Sequence, residues 1–361
     1  QPLIDTLGLD RVTQYPANAI FDVDGDERSS MSNSITINKA YDVKLSKVTE
    51  EPVTISLKAD ARKSEEWFNN LSNVLAGRNV DYIVISHLEP DHAANIKALS
   101  DKYPDAKLVL SAKAKAMLPQ FFAMDNLDDK CIIAAEGQEL SLGTHNLKFI
   151  MAPMVHWPEV MLEYETTEKV LFSADAFGKF GALSASEDWT CEARRYYFNI
   201  VGKYGAPVQT LLKKAAALDI RTICPLHGPV LKENLEFYIG KYLTWSSYEP
   251  EDDGVLVACA SIHGNTKTAA EKMVNILKEQ GYNKVAFTDL TRDDMAEAIE
   301  DAFRYSRLIV AAASYDGGVF PPMEDFLSRL SHKAYQNRKV GIIENGSWAP
   351  TAGKCMKTAF E

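Results

Sequence analysis

The chain has 361 residues, 46% of them hydrophobic and 25% charged, and a net charge of −11. This length is enough for two or three domains, and the composition is ordinary for a globular protein with a large core. The acidic balance without a Lys/Arg cluster argues against a nucleic-acid partner, and no apolar run is long enough to span a membrane.

The cysteines and the amino terminus indicate the compartment. Five cysteines are scattered along the chain without a C-x-x-C pair, which indicates a reducing compartment and no thiolate metal site. No basic region followed by an apolar core marks a signal peptide. We therefore expect a cytoplasmic protein.

Residues 1–60 carry weak signals. Short alternating runs predict antiparallel strands at Ser34–Ile37, Tyr41–Leu45 and Val53–Leu57, and Asp24–Glu27 has the composition of a turn. Apolar residues at helical spacing then predict a helix over Glu65–Ala76.

The first strong signal is a polar stretch directly after the buried strand Tyr82–Ile85. Pro90 cannot continue a central strand or a helix interior, so the stretch is predicted to lie on a loop. A single His or Asp there would be explained as a helix cap. The stretch instead holds four potential metal ligands within six residues, namely His87, Glu89, Asp91 and His92.

The same pattern recurs along the chain. Helices are predicted over His92–Lys102 and Lys113–Phe122, and strands over Lys107–Ser111, Cys131–Ala135 and Leu147–Met151. Further strand-like segments are followed by His156, Asp175 and His227. Taken singly, each of these would more simply be a cap or a buried polar group. Because strand ends line up along one rim, the seven residues are together predicted to converge.

Imidazole and carboxylate ligands without thiolate suit zinc, iron or manganese. Seven ligands are too many for one tetrahedral zinc. They suit two metal ions about 3.5–4 Å apart with one bridging carboxylate.

The pattern changes after Tyr248–Gly254, which has the composition of a linker. Strands and helices then alternate, which predicts a parallel, doubly wound sheet. The predicted strands are Val255–Ala260, Val285–Asp289, Leu308–Ala312 and Val340–Ile343. The predicted helices are Thr266–Gln280, Asp293–Phe303, Met323–Leu330 and one beginning near Gly353.

Three loops in this region follow strands on the rim where ligands of open α/β sheets bind. In Ser261–Thr266, hydroxyls and helix-start amides can cradle a phosphate, and Gly264 permits close approach, although this loop alone would more simply be a polar turn with a helix cap. The loop lacks G-x-G-x-x-G and a P-loop Lys, which disfavours dinucleotides and ATP. Tyr315 or Trp348, on the next two loops, could flank a flavin ring or pack on the adjacent helix. The three loops resemble the FMN loops of flavodoxins, which implies the candidate FMN residues Ser261, His263, Gly264, Asn265, Thr266, Ser314, Tyr315, Asp316, Gly317, Gly318, Asn345, Gly346, Ser347 and Trp348.

The motifs resemble a known family. His87–His92 is similar to the H-x-H-x-D-H motif of the metallo-β-lactamase superfamily, with Glu89 in place of the second His. This H-x-E-x-D-H form and the later His, Asp and His resemble the flavodiiron proteins, which join a lactamase-like diiron domain to a flavodoxin-like FMN domain. The segments APMVHWPEV, ADAFGKFGAL, ARRYYFNIVGKYG, CPLHGPV and ENGSWAPTAGK also look like that family. The first 60 residues match it poorly.

The resemblance implies an α/β fold in two domains. Residues 1–249 would form a metallo-β-lactamase-like αββα sandwich, and residues 254–361 a flavodoxin-like doubly wound sheet. By comparison with the family, the second domain is expected to be truncated at its carboxyl end, without a fifth strand and last helix.

The resemblance also implies how the ligands divide. One iron would be held by His87, Glu89 and His156, and the other by Asp91, His92 and His227, with Asp175 bridging. A carboxylate at Glu89 is a harder donor than imidazole and favours a redox-active iron pair over hydrolytic zinc.

The implied activity is the reduction of O2 to water, of NO to N2O, or of both. Electrons would come from an external donor such as rubredoxin and pass through FMN to the diiron site. The family's head-to-tail pairing implies a homodimer or a homotetramer. Two alternatives are a two-zinc, lactamase-like hydrolase with an accessory flavodoxin domain, and an electron-transfer flavoprotein with a vestigial first domain.

Overall fold

The structure is a computed structural model that describes residues 19–23, 26–30, 34–37, 41–44, 61–184 and 187–361. The chain divides into two compact units, residues 1–74 and residues 75–361. The predicted strand at Val53–Leu57 and the turn residues Asp24 and Gly25 lie outside the described residues.

The first unit contains two antiparallel hairpins. Strands β1 (Ala19–Val23) and β2 (Asp26–Ser30) form one, and β3 (Ser34–Ile37) and β4 (Tyr41–Lys44) form the other. The second hairpin confirms the strands predicted from alternation. Helix α1 (Ala61–Leu75) follows and begins earlier than the predicted Glu65.

The second unit begins with a three-stranded parallel sheet in the order β5 (Tyr82–Ile85), β6 (Lys107–Ser111), β7 (Cys131–Ala134). Its helices are α2 (Pro90–Ala93), α3 (Ile96–Lys102), α4 (Ala112–Met117) and α5 (Leu127–Lys130), with a 3-10 turn at Leu118–Gln120.

Two predictions for this region were wrong. The helix predicted over His92–Lys102 is two helices, α2 and α3. The stretch predicted as a loop begins α2 at Pro90, because proline fits the first position of a helix, where its missing N–H costs nothing.

A five-stranded mixed sheet comes next, in the order β12-β11-β10-β9-β8. The strands are β8 (Glu139–Ser141), β9 (Asn146–Met151), β10 (Met161–Glu165), β11 (Val170–Phe172) and β12 (Thr222–Cys224). Strand β12 is parallel to β11, and the other pairs are antiparallel. The helices are α6 (Trp189–Tyr196), α7 (Gly205–Ala215) and α8 (Leu235–Ser246), with a π turn at Tyr197–Val201 and a 3-10 turn at Gly202–Tyr204.

These two sheets form the centre of a four-layer sandwich. Buried residues of both sheets, including Val109, Phe149 and Met161, belong to one apolar cluster. The other face of the three-stranded sheet packs with α4 through residues such as Leu110 and Ala114. The other face of the five-stranded sheet shares a core with Trp245 of α8 and its neighbours. The order of layers is helix, sheet, sheet, helix, as predicted.

The last part of the chain is a second layered sheet, with parallel strands in the order β14-β13-β15-β17. The strands are β13 (Asp252–Ala260), β14 (Val285–Asp289), β15 (Tyr305–Tyr315), the short antiparallel β16 (Gly318–Val319) and β17 (Lys339–Asn345). The helices are α9 (Asn265–Glu279), α10 (Met295–Arg304), α11 (Pro321–His332) and α12 (Ala352–Thr358).

Apolar clusters cover both faces of this sheet, so it is doubly wound as predicted. Residues Asp252–Gly254, predicted as the end of a linker, are already the start of β13. The division into domains at residues 249–254 stays a prediction. Among the described residues, no helix is long and apolar enough to cross a membrane.

Buried contacts join the mixed sheet's helices to α10. The rings of Phe198 and Phe303 stack with centroids 4.1 Å apart. The guanidinium of Arg194, on α6, pairs with Glu300 of α10 and lies 2.9 Å from Glu251. A buried charge needs such partners, since an unpaired one would be strongly destabilising. The ion pair therefore ties α6 to α10.

Candidate functional site

The seven predicted metal ligands lie together at the carboxyl ends of β5, β9, β11 and β12. They form two groups, and the possible ligand atoms within each group all lie within 4.8 Å of one another. The first group is His87, Glu89, His156 and Asp175, and the second is Asp91, His92 and His227. These are the sets that the resemblance implied, with Asp175 placed in the first.

In the first group, imidazole nitrogens face carboxylate oxygens. The Nε2 atom of His156 lies 3.0 Å from Glu89 Oε2 and 3.2 Å from Asp175 Oδ2. The Nε2 atom of His87 lies 3.3 Å from the same oxygen of Asp175. Three protein segments distant in sequence therefore point their donor atoms at one small volume.

In the second group, His92 Nε2 lies 3.0 Å from His227 Nε2. Both nitrogens are 3.3 Å from Asp91 Oδ2. Two imidazoles and a carboxylate directed at one volume are donors suited to a first-row transition metal.

Asp175 belongs to both groups. Its Oδ2 faces His156 and His87, whereas its Oδ1 lies 3.1 Å from His92 Nε2 and 3.7 Å from His227 Nε2. The side chain is buried, and among the described residues neither Asp175 Oδ1 nor His87 Nε2 has a hydrogen-bond partner of good geometry. Buried polar atoms are normally satisfied. This arrangement fits a carboxylate shared between two cations.

The pKa values of the first group also indicate a site that favours positive charge. Burial opposes protonation of His87, but the carboxylates of Asp175 and Glu89 raise its pKa to about 9. The imidazoles of His156 and His87 beside it lower the pKa of Glu89 to about 2. Burial raises the pKa of Asp175, yet the imidazoles around it bring the net pKa well below its usual range. The carboxylates strongly favour positive charge in this volume, and bound metal would supply it.

Backbone geometry brings the last two ligand loops close together. A Cβ atom added at Gly178 would lie 3.0 Å from Asp175 O and 3.1 Å from His227 Cβ. That is tighter than ordinary van der Waals contact. Only glycine lets the loop after β11 pack this closely on the loop after β12.

Two residues near the metal site were missed by the sequence analysis. Tyr196 lies near the Asp175 carboxylate, and its ring lies 5.6 Å from that of His227. Burial and the nearby Asp175 carboxylate raise the pKa of Tyr196 well above its usual value. Glu159 accepts a hydrogen bond from the backbone of Leu88. Both lie in segments quoted for the family resemblance, but neither follows a strand end, the signal used to find the ligands.

The fourteen predicted FMN residues lie at the carboxyl ends of β13, β15 and β17 and in the segments that directly follow, which include β16 and the first turn of α9. Strands β13, β15 and β17 are parallel neighbours, so their carboxyl ends meet at one edge of the sheet. In the first loop, Ser261 Oγ accepts a hydrogen bond from the amide of Gly264 at 3.0 Å, and Gly264 has φ +89°. Asn345 Nδ2 donates to Thr266 Oγ1 at 3.2 Å and so connects the third loop to the first.

The second loop is tied to the last helix. Ser314 Oγ accepts hydrogen bonds from the amides of Thr351 at 2.8 Å and Ala352 at 3.1 Å. Its hydroxyl oxygen is therefore engaged in holding the start of α12. Asp316 and Gly317 both take positive φ, which allows the tight turn before Gly318.

The loops leave two aromatic side chains in solvent. Tyr315 is 45% exposed and Trp348 is 83% exposed. His263, Asn265, Gly346 and Ser347 are also exposed around this edge. An exposed tryptophan and a helix amino terminus that follow strands at the same edge of the sheet fit a flavin mononucleotide, whose ring is apolar and whose phosphate is anionic.

A third group of possible metal ligands, Cys191, Glu297 and Glu300, has a different character. Arg194 already pairs with Glu300, and burial raises the pKa of the Cys191 thiol to about 12. A thiol that stays protonated and a carboxylate that is already paired with Arg194 are both poor metal ligands.

Comparisons with known proteins agree with this geometry. Residues 61–228 match the family model described as ODP family beta lactamase. An uncharacterised protein of Methanocaldococcus jannaschii is 30% identical over 307 residues, covering 82% of this chain and 76% of that protein. An anaerobic nitric oxide reductase flavorubredoxin of Aliivibrio salmonicida is 25% identical and covers 83% of this chain. The chain spans 62% of that flavorubredoxin.

Solved structures share the fold. The rubredoxin oxygen:oxidoreductase of Desulfovibrio gigas superposes with a TM-score of 0.73 at 25% identity, covering 80% of this chain and 75% of that one. Solved flavodiiron proteins are among the other structures with the same fold. The chain belongs to the flavodiiron proteins, a family of oxidoreductases.

Proposed function

We propose that this protein reduces O2, NO or both at a pair of iron ions, with electrons delivered through FMN. The observation that carries the proposal is the position of Asp175, whose two oxygens face two separate groups of imidazole and carboxylate ligands. The names of the Desulfovibrio and Aliivibrio relatives support the two substrates.

We assign the ligands by the two groups. His87, Glu89 and His156 would hold one iron, and Asp91, His92 and His227 the other, with Asp175 bridging. The carboxylate of Glu89, 3.0 Å from His156 Nε2, gives the first position a harder donor set and favours iron over zinc. When bound, the metals and the flavin supply the redox chemistry; the protein supplies their binding and orientation.

The FMN assignment rests on the three loops. We infer that the phosphate lies at the start of α9, against the hydroxyls of Ser261 and Thr266 and the helix amides. Tyr315 and Trp348 would flank the flavin ring, which would cover their exposed faces. Of the remaining loop residues, five are glycines or have positive φ and would approach through their backbones, namely Gly264, Asp316, Gly317, Gly318 and Gly346.

The names of the same relatives support the choice of electron donor. The names of the relatives include rubredoxin, so we propose a rubredoxin or a similar external protein as the electron donor. We also propose a homodimer or homotetramer, a cytoplasmic location, and domains divided at residues 249–254. The five cysteines are free within the described ranges, which suits a reducing compartment.

The test combines composition and turnover. The purified protein is assayed for metal and flavin, then for consumption of O2 and of NO with chemically reduced rubredoxin. We expect about two irons and one FMN per chain, with donor-dependent consumption of at least one gas. Two zinc ions without gas consumption would contradict the proposal and favour the hydrolase.

A further inference from the structure

Glu159 is a buried carboxyl group that the proposed metal site does not use as a ligand. It lies three residues after His156, and only 2% of it is exposed. Its Oε1 accepts a hydrogen bond from the backbone amide of Leu88 at 2.9 Å. Leu88 is the residue between two proposed ligands, His87 and Glu89.

This bond joins the two segments that build the first metal position. Two further hydrogen bonds hold the same stretch against β10: the amide of Met161 donates to Ser86 O at 3.0 Å, and Ser86 Oγ donates to Glu163 Oε2 at 3.2 Å. Both of these bonds hold Ser86, which precedes the first ligand, His87. Of the three bonds, the one from the Leu88 amide to Glu159 holds the backbone between His87 and Glu89.

Glu159 is itself held in place. Its backbone carbonyl accepts a hydrogen bond from Ser111 Oγ at 2.8 Å, and Ser111 Oγ in turn accepts from the amide of Ala114 at 3.1 Å. Leu88 is fully buried. Because the acceptor residue Glu159 is held by Ser111 and the donor residue Leu88 is buried, the hydrogen bond between them has little freedom. It therefore fixes the position of the ligand loop relative to His156.

Burying the Glu159 carboxyl group costs free energy, because one of its oxygens is left without a hydrogen bond. Glu159 Oε2 is buried and has no hydrogen-bond partner among the described residues. Leaving a buried polar atom unsatisfied costs about 1–3 kcal/mol. An apolar side chain of similar volume would avoid that cost but would leave the Leu88 amide without its acceptor.

We propose that Glu159 is a positioning residue for the first metal position. Through the Leu88 amide it sets His87 and Glu89 at the distance from His156 that one metal ion requires. The inference rests on the proposed function, because it assumes that these three residues bind metal. Groups that orient metal ligands without touching the metal typically change metal affinity about 10–100-fold when removed.

The experiment titrates metal-free protein with ferrous iron under anaerobic conditions. Affinity is followed by equilibrium dialysis and the type of iron site by Mössbauer spectroscopy. The variants are Glu159→Ala, Glu159→Leu, which fills the volume without an acceptor, and Glu159→Gln, which keeps an acceptor oxygen. The control is Glu165→Ala, which removes another buried carboxyl group, one bonded to His145, Thr167 and Glu168, and leaves the Leu88 amide bonded.

We expect wild-type protein, Glu159→Gln and Glu165→Ala to take two irons with similar affinity. Glu159→Ala and Glu159→Leu should bind one iron about 10–100-fold more weakly and show the spectrum of a single iron at intermediate loading. The FMN content should be the same in all of them, which shows that the chain has folded. If the alanine variant does not fold, the leucine variant gives the answer.

Three outcomes would overturn the inference while wild-type protein still takes two irons. They are an alanine and a leucine variant that match the wild type, a control that loses as much affinity as they do, and a glutamine variant that does not restore binding. A wild-type protein that takes no iron would instead overturn the proposed function, and this inference with it.

Discussion

The Nε2 atoms of His92 and His227 lie 3.0 Å apart, although the residues are separated by 135 positions in the chain. His92 is on the short helix after β5, and His227 follows β12. Asp175 Oδ1 lies 3.1 Å and 3.7 Å from these two nitrogens, and its Oδ2 faces the first group of ligands.

Asp175→Ala should therefore abolish gas reduction and leave the flavin site intact. We expect donor-driven consumption of O2 or NO to fall by at least about 100-fold, because a bridging carboxylate serves both metals. Flavin content and reduction of the flavin by the donor should be unchanged, since the three FMN loops are elsewhere in the fold. Measurable gas consumption near the wild-type rate would refute the bridging role.

Gly178→Ala should weaken the packing of the two ligand loops. The added Cβ would meet the carbonyl of Asp175 and the side chain of His227 at about the same short distance, and such overpacking typically costs about 1–3 kcal/mol. Urea unfolding measures the loss, and iron titration should show weaker binding.

Gly240→Ala is the matched control for that substitution. Gly240 lies within α8, and no described atom is within 4 Å of a Cβ built there. Alanine should stabilise the helix by about 0.5–1 kcal/mol. Equal loss of stability in both variants would show that the close approach at Gly178 is not the cause.

Glu163→Gln should stabilise the protein increasingly as the pH rises. Burial raises the pKa of Glu163 from its ordinary value of 4.5 to about 8. Folded protein therefore keeps a proton that the unfolded chain loses above pH 4.5. The resulting stability is fully present below pH 4.5, falls as the pH rises, and is lost above about pH 8.

Glutamine does not titrate, so its advantage over wild type should grow by about 1.4 kcal/mol per pH unit across that window. The measurement is urea unfolding of metal-free wild-type and variant protein at pH 5.5, 7 and 8.5. A difference that stays constant with pH would mean that Glu163 does not carry the proton.

Thr266→Ala should weaken the binding of FMN but not of riboflavin, which lacks the phosphate. Asn345 donates to Thr266 Oγ1, which leaves the hydroxyl hydrogen free to donate to the phosphate. A hydrogen bond to a charged group is worth about 1.5–3 kcal/mol, so FMN affinity should fall about 10–100-fold.

Thr268→Ala is the control, because the Thr268 hydroxyl donates within the helix to Gly264 O at 3.2 Å. It should change neither affinity appreciably. Flavin fluorescence titration gives both constants. An equal loss of riboflavin binding in Thr266→Ala would place the hydroxyl against the ring rather than the phosphate.

Many of the strands and the meeting of the seven side chains were predictable from the sequence, because four apolar segments are each followed by His or Asp. Strands β8 and β10 and the order of strands in the mixed sheet were not predicted. The short helix α2 was not predicted either, since Pro90 was taken only as a residue that interrupts helices. Tyr196 and Glu159 were also missed: their roles depend on contacts with Asp175 and Leu88 across the fold, which no local pattern records.

The ion pair between Arg194 and Glu300 has a consequence for how the protein loses its structure. Opening α10 without α6 takes Glu300 away from the buried Arg194, which keeps Glu251, and separates the stacked rings of Phe198 and Phe303, so it is unfavourable. The sheets that carry the candidate metal and flavin sites should therefore melt in one cooperative transition. Saturation with either cofactor would then delay the thermal loss of the other, even though the two sites share no ligand.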